Sequence, residues 1–195
     1  MDRDTELALV EGLRRGETSA FDAVYDAYRA QLFAFLLRLS RRRAVAEDLL
    51  DETWLRLVRH ARGLQPDTRL APWLFTVARN LYWSHRRACL LEETLDHGLP
   101  GLWPSRESWP SPFDLALAAE TQRRLEEGLA RLPPQHREVL LLVAAEGLTP
   151  TEAAGVCGVR PEAMRQRLAR ARAALAEELG ASTGEAIVTK RRFGT

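Results

Sequence analysis

The stretch "HGLPGLWPSRESWPSP" (97–112) carries Pro100, Pro104, Pro110 and Pro112 together with two glycines. Each proline fixes φ and removes a backbone donor, so no continuous helix can pass through this segment. The chain is therefore expected to divide into two blocks that fold separately, joined by an extended connector.

Both blocks carry helical periodicity, and neither shows the alternation of a strand. In "SAFDAVYDAYRAQLFAFLLRL", Phe21, Val24, Tyr25, Tyr28, Leu32, Phe35, Leu36 and Leu39 recur at helical spacing. "AEDLLDETWLRLVRHA" (46–61) repeats apolar pairs at 49/50, 53/54 and 57/58. Leu49, Leu50, Trp54, Leu57 and Val58 are its expected core residues. Glu47 and Asp48 suit a helix start there, and Gly63 is placed to end it. "QPDTRLAP" reads as a loop, and "WLFTVARNLYWSHRRACLL" resumes the helical pattern, with Trp73 assigned to the core. The fold class is all-α, with two small helical domains and an extended linker.

The expected boundaries are 1–89 for the first domain, 90–113 for the linker, 114–182 for the second domain and 183–195 for a disordered tail. Charge follows the same division. The whole chain is nearly neutral at +1, yet the Arg, Lys, Asp and Glu positions give a net +3 over 1–89, −5 over 90–120 and +3 over 121–195. Two mildly basic blocks thus flank an acidic segment. Lys190 is the single lysine among 28 basic residues. Arginine richness is in consequence a compositional habit, and only position can argue for nucleic-acid binding.

The C-terminal block has the clearest punctuation. Pro133 and Pro134 precede "QHREVLLLVAAEG", a helix ended by Gly147. Thr149-Pro150-Thr151-Glu152 then combines an N-cap threonine, a proline at the first helical position and a glutamate three residues on, which is a capping box. The short helix that follows turns at Cys157-Gly158-Val159, and another begins at Pro161. Two short helices about a glycine turn form a helix-turn-helix. On the second helix Met164, Leu168, Ala171 and Leu175 make the buried stripe. Glu162, Arg165, Gln166, Ala169 and Arg170 fall on the opposite arc. Arg165 suits a guanine edge, Gln166 an adenine and Arg170 a phosphate. A solvated amphipathic helix would present the same arc, and the wheel alone leaves both readings open.

Three ordered segments carry a resemblance. "AEDLLDETWLRLVRHA", "LAPWLFTVARNLYWSHRR" and "LARLPPQHREVLLLVAAEGLTPTEAAGVCGVRPEAMRQRLARARAAL" resemble conserved regions 2.2, 2.3–2.4 and 4 of extracytoplasmic-function (ECF) sigma factors. The resemblance implies a promoter-specificity subunit that binds core RNA polymerase through the β′ clamp helices and β flap. It makes Asp48, Asp51, Glu52 and Arg56 the clamp contacts, although Asp51 stands where the family commonly has glutamine. It places −35 reading on Arg160, Glu162, Arg165, Gln166, Ala169 and Arg170. The −10 element falls to Asp67, Thr68 and Arg69 in the loop and to Arg79, Asn80, Trp83, Arg86 and Arg87 on the next helix. A base held out of the stack needs a pocket, and the single strand needs cations and aromatic faces. The linker is expected to thread toward the polymerase active site and RNA exit path, with its acidity mimicking RNA and Trp103 and Trp109 seating it. An anti-sigma factor is a further implied partner.

The competing reading is a two-domain helix-turn-helix regulator that does not replace the sigma subunit. "WLFTVARNLYWSHRR" argues against it, because such a regulator has no reason to carry that segment. An enzyme is poorly supported: there is no glycine-rich phosphate loop, metal-ligand spacing or nucleophile–base pair. No catalytic residue, metal or cofactor is expected. The charged N-terminus lacks the order of a signal peptide, and no apolar run reaches membrane-spanning length, so the expected location is cytoplasmic.

Overall fold

A computed structural model of the chain describes residues 2–95 and 116–192, and it contains helices without any strand among them. The N-terminal bundle comprises α1 (Arg3–Arg15), α2 (Thr18–Ser40), α3 (Arg43–His60) and α4 (Leu70–Leu95), with a 3-10 turn at Ala61–Gly63. The C-terminal part comprises α5 (Ala116–Arg131), α6 (Pro134–Leu140), α7 (Pro150–Cys157) and α8 (Pro161–Arg192).

Local chemistry explains most of these boundaries. Asp2 caps α1 by accepting from the Thr5 amide, and Gly16 ends the helix at φ 76°, a conformation open to glycine without a Cβ penalty. A Cβ on Gly12 would meet the Cβ of Ala20 at 2.6 Å, so this glycine is what lets α1 and α2 approach so closely. α2 ends on Arg41 at φ 61°, a left-handed residue without glycine's freedom. The capping box at Thr149 and Glu152 is fully formed, and Gly158 makes the turn into α8 at φ 64°.

The core of the N-terminal bundle centres on Phe35 and Phe75, edge to face at 5.3 Å. Trp54 packs beside it against Tyr25, with ring centroids 4.9 Å apart. In the C-terminal part Leu142, Ala153, Met164 and Ala171 are fully buried. Burial of these apolar faces, rather than intrinsic helix propensity, is what stabilises such short helices.

Several sequence expectations need correction. α3 begins at Arg43, not at Ala46, so Glu47 lies one turn in and pairs with Arg43 at 2.8 Å. It ends at His60 through a 3-10 turn, and Gly63 does not adopt the left-handed conformation. Val58 is 58% exposed and not core, because it points away from the Leu50, Trp54 and Leu57 stripe. Trp73, assigned to the core, is partly buried and packs against it. The helix after Pro134 loses α geometry at Leu141–Ala145, where a π turn places the Glu146 amide on the Leu141 carbonyl before Gly147 at φ 70°. α4 continues to Leu95, past the expected domain end at 89. α8 runs on to Arg192 where a disordered tail from 183 is expected, since "GEAIVTK" lacks a proline and a formed helix propagates cheaply. The rest of the linker, with Trp103 and Trp109, lies outside the described residues.

The two blocks pack together: α4 packs against α7, and α2 touches α6. Arg38 makes a bidentate pair with Glu126 at 2.9–3.2 Å, Arg41 donates to the Ala130 carbonyl at 3.0 Å, and Arg69 lies 3.4 Å from Glu152.

Candidate nucleic-acid interface

The second helix of the helix-turn-helix sorts its side chains as its periodicity requires. Met164, Leu168 and Ala171 face the core at 0%, 6% and 0% exposure. Arg160, Glu162, Arg165, Gln166, Ala169 and Arg170 are all exposed. Arg165 pairs with Glu162 at 3.0 Å, an exposed contact along the helix that costs little to exchange for a base edge. Arg167 is half-buried and belongs to a different surface.

The residues expected at the −10 element separate into two places. Thr68 lines a concavity of about 370 Å³ with Arg59, His60, Gly63, Leu64, Gln65 and Trp73. Asp67 and Arg69 flank this hollow on the exposed loop. The loop is tied from behind by Glu6, which is 5% exposed. Its carboxylate accepts from the Leu70 amide at 2.8 Å and pairs with Arg3 at 2.6 Å and Arg69 at 3.1 Å. Arg3 also donates to the Asp67 carbonyl at 2.7 Å. Glu6 thereby occupies an orphan donor at the N-terminus of α4, the place where a negative charge is most stabilising.

Arg79, Asn80, Trp83 and Arg87 lie further along α4 and line a groove of about 350 Å³. Its other wall is C-terminal: Gln135, Glu138, Cys157, Val159 and Arg167. Arg86 sits over the Trp83 ring at 5.3 Å, so the indole face already holds a cation. Trp83 is half-buried and donates through Nε1 to Glu138. Burial pushes the Cys157 thiol up to about 12, which keeps it an unreactive, neutral wall of the groove.

The outer face of α3 gathers the expected clamp contacts. Asp48, Asp51 and Arg56 are exposed, and Glu52 is half-buried between Arg56 at 3.1 Å and Arg59 at 3.7 Å. Between them stand Leu55 and Val58, 49% and 58% exposed. The sequence reading missed Leu55. Its signal was available, because on an α3 wheel Leu55 falls on the charged arc and not on the Leu50, Trp54 and Leu57 stripe.

No cluster of His, Cys, Asp and Glu able to hold a metal occurs among the described residues. None of the described helices is long and apolar enough to cross a membrane.

Known proteins share this arrangement. Residues 24–88 match the family Sigma-70 region 2, and residues 122–175 match Sigma-70, region 4. The chain is 33% identical over 174 residues to the RNA polymerase sigma factor CarQ of Myxococcus xanthus, covering 88% of this chain and 95% of that protein. It is 31% identical to the ECF RNA polymerase sigma factor SigL of Mycobacterium tuberculosis, over 83% of this chain and 90% of that one. Among solved structures, the sigma factor RpoE in complex with the anti-sigma factor NepR from Bartonella quintana superimposes with a TM-score of 0.69 at 27% identity, over 84% of this chain and 96% of that one. With both matched regions in order and relatives covered almost end to end, the chain belongs to the ECF group of the sigma-70 family and is an RNA polymerase sigma factor.

Proposed function

We propose that the two parts divide promoter reading between them, with residues 1–89 serving the −10 element and 114–182 the −35 element. The observation that carries this reading is the exposed arc of α8, where Arg165, Gln166, Ala169 and Arg170 face solvent while Met164, Leu168 and Ala171 are buried. An arc of guanidinium, amide and methyl groups in the first turns of a recognition helix suits base edges in a major groove. The hollow beside Thr68 and Trp73 suits an unstacked base, and Arg79, Asn80, Trp83, Arg86 and Arg87 suit the single strand that follows it. The outer face of α3, centred on Leu55 and Val58, docks on the β′ clamp helices, and the C-terminal domain meets the β flap. The protein has no catalytic activity of its own and works in the cytoplasm with core polymerase. An anti-sigma factor is a fitting regulator, since the similar RpoE was crystallised with one.

Run-off transcription with core polymerase on genomic promoter fragments tests the assignment. The wild-type chain is expected to direct initiation at discrete sites. Arg165→Ala with Gln166→Ala should weaken the chosen promoters about tenfold or more, at roughly 1–3 kcal/mol for each lost bidentate contact. If −35 mutants respond identically to wild-type and doubly substituted protein, the recognition arc is misassigned.

A further inference from the structure

The loop between α3 and α4 is held by α1, a helix far from it in the chain. Arg69 stands immediately before the first residue of α4 and carries no side-chain acceptor, so it cannot cap that helix. Glu6 does so instead: its Oε1 accepts from the Leu70 amide at 2.8 Å. Its Oε2 lies between Arg3 Nη1 at 2.6 Å and Arg69 Nε at 3.1 Å. Arg3 then donates through Nη2 to the Asp67 carbonyl at 2.7 Å. The Thr68 amide bonds within the loop, to the Gln65 carbonyl at 3.0 Å. α1 also packs on the 3-10 turn at Ala61–Gly63. It therefore touches both the turn and the loop that border the hollow lined by His60, Gly63, Gln65, Thr68 and Trp73.

Capping alone does not account for this arrangement. A serine or aspartate at position 69 would cap α4 from nearby, without a buried charge. A buried carboxylate is costly unless it is paired, and Glu6 takes one guanidinium from its own helix and one from the loop. Oε2 and Arg3 thus act on the course of the loop and not on the helix end. Glu152 is the other carboxylate near Arg69, at 3.4 Å, but its side chain is the more exposed of the two and its pull the more screened. α1 itself lies outside residues 24–88, the segment matched to region 2.

We infer that α1 is a positioning element for promoter reading, with Glu6 and Arg3 fixing the 65–69 loop in the shape in which the hollow tells one base from another. Neither side chain touches DNA in this role; both act through Asp67 and Arg69. The inference rests on the −10 assignment of the hollow. A pocket held to a fraction of an ångström stays selective, whereas one with a wandering rim accepts several bases. Loss of the ties should therefore flatten base preference at the −10 element and leave preference at the −35 element, read by α8, as it was.

The test uses the full chain assembled with core polymerase. Its templates are a barcoded linear pool randomised at the −35 and −10 positions of a promoter that the wild-type holoenzyme uses. Base preference at each position is a ratio within one preparation, so the fraction of active protein cancels. Arg3→Gln and Glu6→Gln should each reduce the strongest −10 preference about fivefold and leave −35 preference unchanged. Arg3→Lys keeps the charge and should restore part of what Arg3→Gln loses. Arg3 is partly exposed at the start of α1, so its variants carry the test should Glu6→Gln fail to fold. Equal flattening at both elements would mean a general loss of structure and would overturn the inference. Gln65→Ala with Thr68→Ala separates it from the reading beneath it. If that pair flattens −10 preference and the folded α1 variants do not, α1 positions nothing and the −10 assignment stands. If neither set changes −10 preference, the hollow does not read the element and both fall. Flattening by the α1 variants alone supports the positioning role and moves the base contact off Gln65 and Thr68.

Discussion

Glu6 shows how firmly a loop can be held by a residue distant from it in the chain. It sits on α1, yet its carboxylate meets the first amide of α4 and the guanidinium of Arg69 in the loop. Substituting Glu6→Ala would leave the Leu70 amide buried without a partner. That should cost ~1–3 kcal/mol of stability in thermal or urea unfolding. Glu6→Gln keeps an acceptor for the amide while losing both ion pairs, so it should recover part of the deficit. Equal stability of Glu6→Ala and wild type would show that the cap carries no weight. Nothing in "MDRDTELALVEGLRRG" marks Glu6 for this role, because the Leu70 amide lies 64 positions away along the chain. The exposed arc of α8 was legible for the opposite reason: Arg165, Gln166 and Arg170 are positioned by the period of their own helix.

At the scale of elements, periodicity reported faces well and ends poorly. The capping box of α7 was readable because both of its partners sit within three residues, and its geometry is as the pattern requires. The start of α3 was not, since Arg42 offers no side-chain cap and the entry is set by the left-handed Arg41 before it. The π turn at Leu141–Ala145 was invisible too, because "LLVAA" is equally compatible with an uninterrupted α-helix. The face of α3 yields the prediction proper to this scale. Leu55→Ser with Val58→Ser should leave folding stability within about 0.5 kcal/mol per site, as both side chains stand in water. Binding to core polymerase should fall about tenfold, since truncating a side chain that is buried at the centre of an interface costs upward of ~1 kcal/mol. Titration of labelled protein against core polymerase measures it, and undiminished affinity would remove α3 from the docking surface.

For the whole molecule, the proline segment divided the chain into two blocks, but the periodicity of each block said nothing of which faces meet when they pack together. Arg137 and Glu138 lie in "QHREV", where a charged pair on a seven-residue helix looks like ordinary surface. Their partners in the N-terminal bundle are 55–99 positions away, and a helical wheel carries no information about such contacts. Packing of the parts also leaves a trace in pH dependence. Burial pushes the Glu146 carboxyl up to about 7, and Arg38 of the N-terminal bundle only partly offsets this. The folded chain therefore holds a proton that the unfolded chain releases above the ordinary glutamate value of 4.5. Below that value Glu146 is neutral in both states and contributes no penalty. As pH rises from 4.5 through about 7, its contribution becomes progressively destabilising, and beyond that the penalty is constant. Unfolding free energy measured in urea at pH 5.5 and pH 8 should accordingly fall less with pH in Glu146→Gln than in the wild type. Arg38→Ala should act the other way, steepening the wild-type fall by withdrawing the one nearby charge that favours the ionised form. A wild type and a Glu146→Gln variant with parallel pH profiles would mean that this carboxylate is solvated, and that the contact between the two parts is looser there than the geometry requires.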